Sequence, residues 1–180
     1  MRGLDKNDLV ALAIPTSDGI FVAHYSVRGL AGLTFPVSAR AGNSQTQCLS
    51  LAAVPLAIRR WHRTTTAAVK RALAGRPPRL LPPLDLTRGT PFQQRVWSAL
   101  QKIPLGETRS YGELAQGLRS PRAFRAVGGA CGANPIPLLV PCHRVLAANH
   151  RLGGFSAGLK WKRLLLWREE VRDWWPDKAT

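Results

Sequence analysis

A proline-dense segment near the middle of the chain limits how the polypeptide can fold. The sequence RPPRLLPPLDL, residues 76–86, contains four prolines. Proline fixes φ and lacks a backbone N–H, so this segment is typical of a linker or an extended crossing rather than a helix. We therefore place a domain boundary near residues 76–88, between domains of residues 1–85 and 86–180. A chain of 180 residues can hold one good core or two small domains.

The N-terminal half has the pattern of a small α/β unit. Residues 19–35 predict two strands joined around Arg28 and Gly29, because apolar and β-branched residues flank a turn signal. Apolar residues recur at helical spacing over residues 56–74, and Gly75 ends that run.

The C-terminal half predicts mostly helices. Thr90 followed by Pro91 favours the start of one helix. The stretch Ser110-Tyr-Gly-Glu113 fits a capping box, which predicts a second helix through Leu118. Further along, the apolar patterns predict a buried strand over residues 136–140 and an amphipathic helix over residues 158–172 that includes Glu169 and Glu170.

A third helix is predicted over residues 121–132, opened by Ser120 and Pro121. Because only a few residues separate it from the second helix, the pair is typical of a helix-turn-helix. Arg122 and Arg125 would then face DNA. An ordinary pair of packed helices with solvated arginines explains the helix pattern equally well.

The chain is strongly basic, with a formal net charge of +16 and a pI near 11.4. A solvated arginine-rich surface is one explanation, and a polyanionic partner is the other. The distribution favours DNA, because no acidic residue lies between Glu113 and Glu169, and unrelieved basic residues suit phosphate contacts. The basic residues of this window are Arg119, Arg122, Arg125, Arg144, Arg151, Lys160, Lys162, Arg163 and Arg168.

The remaining composition argues against several classes of protein. The odd count of cysteines and the lack of a CxxC pair indicate a reducing compartment without a disulfide scaffold. Cys131 lacks a neighbouring base, and we interpret it as a packing residue; we interpret Cys48 as equally inert.

The scattered histidines predict no metal site, and we expect no cofactor. Asp5, Asp8 and Pro15 interrupt any signal-peptide core and no apolar run reaches membrane length, so we expect a cytoplasmic protein.

PCHRV, residues 141–145, places a thiol next to an imidazole. A thiol becomes a strong nucleophile only as a thiolate. Adjacent side chains of an extended chain diverge, so contact between Cys142 and His143 requires a tight turn or a bridging water. His143 could then accept the thiol proton, with Glu169 or Glu170 orienting its far nitrogen. The alternative interpretation of Cys142 is a small buried hydrophobe.

With its surroundings, PCHRV resembles the O6-alkylguanine-DNA alkyltransferases, a family that repairs DNA by taking the alkyl group onto the protein. The supporting stretches are TPFQQRVWSALQKIP (90–104), GETRSYGELA (106–115), RAVGGACGANPIP (125–137) and GGFSAGLKWKRLLL (153–166). The resemblance is specific over residues 90–170 and weaker over residues 17–35. It implies an α/β chain with a small ribonuclease H-like N-terminal domain and a mostly helical, winged helix-turn-helix-like C-terminal domain.

The resemblance also implies a set of catalytic roles. Cys142 is the implied alkyl acceptor, and His143 takes its proton through a water molecule. Glu169 holds the imidazole, and Asn134 orders the site by hydrogen bonds, although it is also a suitable residue to end a helix. Tyr111 assists nucleotide rotation and donates a proton toward guanine N3; its alternative is a half-buried amphipathic tyrosine.

Further roles implied by the resemblance concern DNA. Arg125 enters the base stack and fills the gap left by the flipped nucleotide, while Arg122 and Ser120 contact DNA nearby. One more solvated arginine is the alternative interpretation of Arg125. The implied pocket residues are Ser156 near guanine O6, the backbone around Val145 at the base edge, Phe155 and Pro137.

The implied activity is a single irreversible transfer of a methyl or other alkyl group from guanine O6 in double-stranded DNA to Cys142. O4-alkylthymine is a second candidate substrate, and a monomer that can cluster on DNA is the implied assembly. Two other classes remain open: a DNA-binding module without chemistry, against which Cys142 argues, and a Cys-His hydrolase, which does not explain the DNA features.

Three positions depart from the family pattern. Phe155 stands where tyrosine is frequent, which would reduce polar contact in the pocket. Residues 147–152 lack the glycine expected in that loop. Gly132 replaces a basic residue found in some relatives, which would weaken DNA contact.

Overall fold

The structure is a computed structural model that describes residues 9–36, 48–172 and 174. The chain is a mixed α/β protein; Asp5 and Asp8, used above against a signal peptide, lie outside these ranges. The strands are β1 (Val10–Thr16), β2 (Gly19–Ser26), β3 (Gly29–Thr34), β4 (Arg109–Ser110) and β5 (Val145–Leu146). The α-helices are α1 (Leu56–Leu73), α2 (Pro91–Leu100), α3 (Tyr111–Gly117), α4 (Phe124–Gly132) and α5 (Leu159–Arg168).

The N-terminal sheet is antiparallel in the order β1-β2-β3 and packs against α1. Phe21, Ala23 and Tyr25 alternate along β2 and are fully buried, since alternate side chains of a strand share one face. The predicted hairpin and the helix predicted over residues 56–74 are confirmed. The sequence does not predict β1, because Pro15 and two alanines weaken its pattern, and pairing along β2 supplies the missing stability.

The proline-dense segment runs along the edge of β3. Leu30 donates its N–H to the Pro83 carbonyl at 2.8 Å and accepts the Asp85 N–H at 2.7 Å. The Asp85 carboxylate also accepts the Ser26 hydroxyl at 2.5 Å. Gly29, with φ of 151°, permits the approach because a side chain there would collide with the Pro83 carbonyl. The segment is therefore an extended crossing.

One continuous core connects the two halves of the chain. Trp161 of α5 packs edge-on against Phe21 of β2 and against Phe35, with ring centroids 5.5 and 5.0 Å away. Such edge-to-face aromatic contacts add to the stability gained from burial. Because the buried core does not separate at residues 76–88, the domain boundary stays a prediction.

Capping boxes begin both α2 and α3; the sequence predicts the Thr90 cap of α2 and the full box of α3. Thr90 and Gln93 exchange side chain–backbone hydrogen bonds at the start of α2. Ser110 and Glu113 do the same at the start of α3. Each box satisfies two backbone N–H groups that the helix itself leaves unpaired.

The predicted start of the third helix is wrong. Ser120 does not cap it: its hydroxyl donates to the Leu118 carbonyl at 3.5 Å, and a 3₁₀ turn over Pro121–Ala123 precedes α4. Ser120 instead belongs to the end of the preceding helix, because its N–H bonds to the Ala115 carbonyl at 2.9 Å. Arg119 adopts a left-handed φ of 55°, so this bond completes the Schellman ending of α3.

The strand predicted over residues 136–140 is also wrong. Leu138 has φ of 79°, and the Val140 N–H bonds back to the Ile136 carbonyl at 2.9 Å, so the run forms a tight turn. Asn134 holds this turn, since its Oδ1 accepts the Ile136 N–H at 3.0 Å and its Nδ2 donates to the Val140 carbonyl at 2.7 Å. These buried hydrogen bonds outweigh the unfavourable leucine conformation.

The last helix is shorter than the prediction of residues 158–172. It ends at Arg168, and Glu169 is its C-cap. Glu170 has φ of 58°, and the next N–H bonds to the Leu166 carbonyl at 3.0 Å, which is a Schellman ending. The two glutamates therefore follow the helix instead of lying within it.

Candidate active site

Cys142 lies in a tight turn that leads into β5. A 3₁₀ turn spans Cys142–Arg144, and the Cys142 N–H bonds to the Val140 carbonyl at 2.8 Å. The divergence of side chains expected on an extended chain does not apply to such a turn. The Cys142 side chain is almost completely buried and His143 is fully buried.

Asn134 bonds directly to the thiol. Its Nδ2 lies 3.1 Å from Cys142 Sγ, while the same amide nitrogen also donates to the Val140 carbonyl. Because Oδ1 accepts a backbone N–H, every polar atom of this buried amide has a partner. A hydrogen bond from an amide N–H stabilises a thiolate more than a thiol, so Asn134 favours ionisation of Cys142.

His143 and Arg144 share one carboxylate. His143 Nε2 lies 2.8 Å from Glu169 Oε1. Arg144 donates to both oxygens of the same carboxylate, at 2.9 and 3.0 Å, and to the Ile103 carbonyl at 2.6 Å. The position of Glu169 just after α5 brings its carboxylate to the turn that carries the thiol.

The protonation states of this cluster follow from its surroundings. Burial alone would raise the pKa of Glu169, but hydrogen bonds from His143 and Arg144 lower it to about 2. Burial lowers the pKa of His143, so its imidazole is neutral near neutral pH. The ionised carboxylate only accepts, so Nε2 carries the proton and Nδ1 keeps its lone pair. That Nδ1 atom is buried and has no hydrogen-bond partner among the described residues.

The resting thiol is neutral. Burial raises the pKa of Cys142, and the hydrogen bond from Asn134 and the charge of Lys162 only partly oppose it. Reaction at sulfur therefore requires a base that removes the proton as the substrate arrives. His143 Nδ1 is the buried basic atom available next to the turn.

Lys162 is a site residue that the sequence does not single out. Its ammonium group is fully buried and donates to the carbonyls of Val145 (2.6 Å), Leu152 and Gly154 (3.2 Å). Burial lowers its pKa to about 8, but three carbonyl acceptors match the three donors of the charged form. Lys162 thus ties the 152–154 loop to β5 and places a positive charge near Cys142.

Lys162→Met is expected to destabilise the protein by about 3 kcal/mol, because buried carbonyls lose their donor. It should also raise the pKa of the Cys142 thiol, since a nearby positive charge is lost. Urea denaturation and the pH dependence of Cys142 alkylation by iodoacetamide measure the two effects. Lys160→Met is the control, because Lys160 is exposed on the same helix. Equal behaviour of the two variants would contradict this role.

Tyr111, the first residue of α3, faces the loop that contains Gly153 and Gly154. The Gly154 backbone hydrogen-bonds its hydroxyl, and a Cβ on Gly153 would lie 3.1 Å from the hydroxyl oxygen. Burial raises the pKa of Tyr111, and the nearby thiols Cys131 and Cys142 add to the rise. The tyrosine therefore stays protonated and can act as a proton donor.

The predicted pocket residues lie on two sides of the cluster. Phe155 meets the His143 imidazole edge-on, with ring centroids 6.3 Å apart. Buried Pro137 and exposed Ser156 line a cavity next to β3 together with Asn134. Both backbone polar groups of Val145 are engaged within the protein, the N–H by the Cys142 carbonyl and the carbonyl by Lys162.

The predicted DNA-binding residues lie near the start of α4. Arg122 and Arg125 are exposed, and Ser120 is half-buried between α3 and α4. The Arg125 guanidinium lies over the ring of Phe124, 5.7 Å from its centroid. Phe124 is 46% exposed, and no sequence pattern marks it as a surface residue.

The loop that lacks a glycine still makes a left-handed turn. Asn149 has φ of 56° and His150 has φ of 57°, so two non-glycine residues occupy the region that glycine favours. Asparagine and histidine tolerate this conformation better than most residues. Gly132, the other departure, is exposed at the last position of α4.

Among residues 9–36, 48–172 and 174, no three His, Cys, Asp or Glu side chains converge in an arrangement suited to a metal ion. Each of the three cysteines, all in this part of the chain, is free. None of the helices found there is both long and apolar enough to cross a membrane.

The fold and the site define a class: a mixed α/β protein with a buried, amide-bonded cysteine beside a histidine–glutamate pair. The family model for the DNA-binding domain of 6-O-methylguanine DNA methyltransferase matches residues 91–171. This range includes Asn134, Cys142, His143 and Glu169.

Known proteins agree with this match. The methylated-DNA–protein-cysteine methyltransferase of Mycobacterium tuberculosis is 58% identical over 89 residues, 49% of this chain and 53% of that protein. The enzyme of that name from Haemophilus influenzae is 52% identical over 92 residues, 51% of this chain and 50% of that protein. The matched segment thus spans about half the length of these curated relatives.

A solved structure extends the similarity over nearly the whole chain. The crystal structure of Mycobacterium tuberculosis OGT in complex with DNA superimposes with a TM-score of 0.72 at 37% identity, covering 91% of this chain and 96% of that chain. The chain belongs to the O6-methylguanine-DNA methyltransferase family.

Proposed function

We propose that this protein repairs double-stranded DNA by moving a methyl or other alkyl group from guanine O6 to Cys142, irreversibly and once per molecule. One observation carries the proposal: the Cys142 thiol, bonded to Asn134 at 3.1 Å, sits beside a neutral imidazole held by Glu169. The names of the relatives and the DNA-bound neighbour support the same activity and partner.

The proposed reaction is a displacement at the alkyl carbon. Cys142 passes its proton through a water molecule to His143 Nδ1, and the sulfur attacks the alkyl carbon. The new C–S bond forms as the C–O bond breaks, and the electron pair of that bond stays with guanine. Tyr111 donates a proton toward guanine N3, and His143 then restores the tyrosine proton. In sum, a thiol and O6-methylguanine become a thioether and guanine.

The product explains why one transfer consumes the protein. A thioether has no acyl carbonyl for water to attack, unlike the thioester of a Cys-His hydrolase. Asn134 supports the step because its N–H stabilises charge that develops on sulfur. The presence of Cys142 separates this proposal from a DNA-binding module without chemistry, and the reaction needs no metal or cofactor.

We infer that the region 86–180 is a winged helix-turn-helix-like domain in which α3 and α4 grip the minor groove. Arg122 and Ser120 contact the backbone, and Arg125 enters the base stack as the nucleotide flips out. Affinity is then largely independent of sequence and falls steeply with salt, as expected for a basic surface that displaces counterions.

The flipped base needs a path to a nearly buried sulfur. Cys142 is 4% exposed, and we propose that the base enters as the segment that contacts Tyr111 through Gly153 and Gly154 moves away. Ser156 then bonds near guanine O6, and Phe155 and Pro137 form the walls. The backbone around Val145 reads the base edge through groups other than the N–H and the carbonyl of Val145, which are engaged within the protein. O4-alkylthymine presents a similar alkyl ether and is a second candidate substrate.

The finer features of the assignment are part of the same proposal. Residues 1–85 form a ribonuclease H-like α/β domain that supports the C-terminal domain. The protein works in the cytoplasm at the nucleoid, as a monomer that can cluster along damaged DNA.

Counting repaired bases per protein tests the proposal. Excess duplex containing O6-methylguanine is incubated with the protein, and restored guanine is counted until the reaction stops. The proposal requires an end point of one restored guanine for each active protein molecule, and never more than one. No restored guanine would favour a binding module, and many per protein would favour a turnover enzyme; either result would overturn the proposal.

Arg125→Ala is expected to slow transfer from duplex DNA by about 10²-fold, because the gap left by the flipped base is no longer filled and unstacking is disfavoured by a few kcal/mol. Transfer from free O6-alkylguanine should change little, since no flipping is needed. Single-turnover rates on the two substrates measure this ratio. Equal losses on both would exclude a role in flipping.

A further inference from the structure

An ion pair joins the first hairpin of the chain to the end of the helix that precedes Glu169. Arg168 donates through Nη1 and Nη2 to the two carboxylate oxygens of Asp18, at 2.8 and 2.7 Å. The side chains are 23% and 16% exposed, and the residues lie 150 positions apart in the chain. A bidentate arginine–carboxylate pair fixes the orientation of both groups as well as their distance.

A second contact holds the backbone of the same residue. Gly75, just after α1, has φ of 65°, and a Cβ there would collide with the Arg168 carbonyl. The end of α1 therefore lies directly against the end of α5. Lys70 of α1 lines the same groove as Asp18 and Arg168 and is the other charged side chain of that groove among the described residues.

The next residue along the chain carries the carboxylate of the site. Arg168 is the last helical residue of α5 and Glu169 is its C-cap. A small rotation of this last turn would move Glu169 away from both His143 (2.8 Å) and Arg144 (2.9 Å). Asp18 and Gly75 contact Arg168 on one side of this last turn of α5. His143 and Arg144 hold Glu169 on the other side.

We propose that Asp18 and Arg168 are positioning residues through which the N-terminal half aligns Glu169, and so His143, for removal of the Cys142 proton. The inference rests on the proposed function for its biological meaning, although the alignment of the imidazole can be measured without DNA. The N-terminal half would then contribute to proton removal from Cys142, a role that is separate from any contact with DNA.

The test compares Asp18→Ala with the wild-type chain by two rates. The first is alkylation of Cys142 by iodoacetamide across pH, resolved from Cys48 and Cys131 by peptide fragmentation. The second is methyl transfer from damaged duplex. We expect the alkylation curve to move to higher pH and transfer near neutral pH to fall by about 3-fold to 30-fold, because a misaligned Glu169 weakens proton uptake by His143.

Two further variants separate alignment from stability. Asp18→Glu keeps the carboxylate and should restore most of both rates. Asp85→Asn is the matched control, because Asp85 also pairs within the N-terminal half, with Ser26 and Thr87, and has no bond to α5. It should lower the melting temperature and leave the alkylation curve in place. If Asp18→Ala does not fold, Arg168→Lys tests the same contact, since lysine cannot bind bidentately.

The outcomes distinguish the inference from the proposed function. An Asp18→Ala protein with a lower melting temperature but an unchanged alkylation curve and transfer rate would overturn the positioning role. If the wild-type chain transfers no methyl group but Asp18→Ala still moves the alkylation curve of Cys142 to higher pH, the positioning role is supported and the repair activity is refuted.

Discussion

Cys142→Ala is expected to abolish alkyl transfer and to leave binding to O6-methylguanine duplex intact. The sulfur is the only atom of the side chain that can accept the alkyl group, so no residual transfer should remain. The side chain is small, and its loss leaves the backbone bonds of the turn and the Asn134 bonds to the surrounding backbone in place. Single-turnover transfer and fluorescence anisotropy with labelled duplex measure the two properties.

Cys131→Ala is the matched control for this experiment. Cys131 is also buried, and burial raises its pKa to about 12, so its thiol does not ionise near neutral pH. This variant should keep its transfer activity. Transfer by Cys142→Ala, or a loss of DNA binding as large as the loss of transfer, would contradict the assignment of Cys142; the second result would indicate damage to the fold.

Glu169→Gln is expected to destabilise the protein by about 3–5 kcal/mol, because Arg144 loses its buried carboxylate partner. It should also slow transfer by about 10²-fold or more, since a neutral amide stabilises the imidazolium formed on proton uptake less than a carboxylate does and so leaves Nδ1 less basic. Urea denaturation and single-turnover transfer measure these effects. Glu170→Gln is the control: Glu170 is adjacent but exposed, and its substitution should change stability by less than about 0.5 kcal/mol.

The stability effect of Glu169→Gln has a defined pH dependence. The pKa of Glu169 in the folded protein is about 2, below its ordinary value of 4.5. A carboxyl with a lowered pKa stabilises the fold above its ordinary pKa, and this contribution is lost as pH falls toward the folded value. The difference in unfolding free energy between wild type and Glu169→Gln should therefore shrink between pH 4.5 and about 2. A constant difference over that range would contradict the ion pair.

The parts of the site that the sequence predicts have local signals. The pair Cys142–His143 is adjacent in the chain. Thr90 followed by Pro91 marks the start of α2, and the capping box of α3 depends on residues three positions apart. The choice between Glu169 and Glu170 is different. It depends on where α5 ends and on what packs against that end, because the C-cap residue Glu169 reaches His143 while Glu170 is exposed, and no periodic pattern contains this detail.

Other features were predicted incorrectly or missed because tertiary contacts determine them. The strand over residues 136–140 fails because one buried side chain, Asn134, takes the backbone groups that a strand would use. In the sequence, Lys162 looks like the other basic residues of its segment, and only its complete burial in the fold marks it as a site residue. The contact between Asp18 and Arg168 spans 150 positions and has no signature in either segment.

The location of the transferred methyl group tests the role of Cys142 most directly. Trypsin cleaves after Arg125 and Arg144, so one peptide, residues 126–144, carries both Cys131 and Cys142. After incubation with O6-methylguanine duplex, fragmentation of this peptide in the mass spectrometer separates the two cysteines. Cys142 should carry one added methyl group and Cys131 none. An unmodified Cys142, in protein that has restored guanine in the DNA, would contradict its role as the alkyl acceptor.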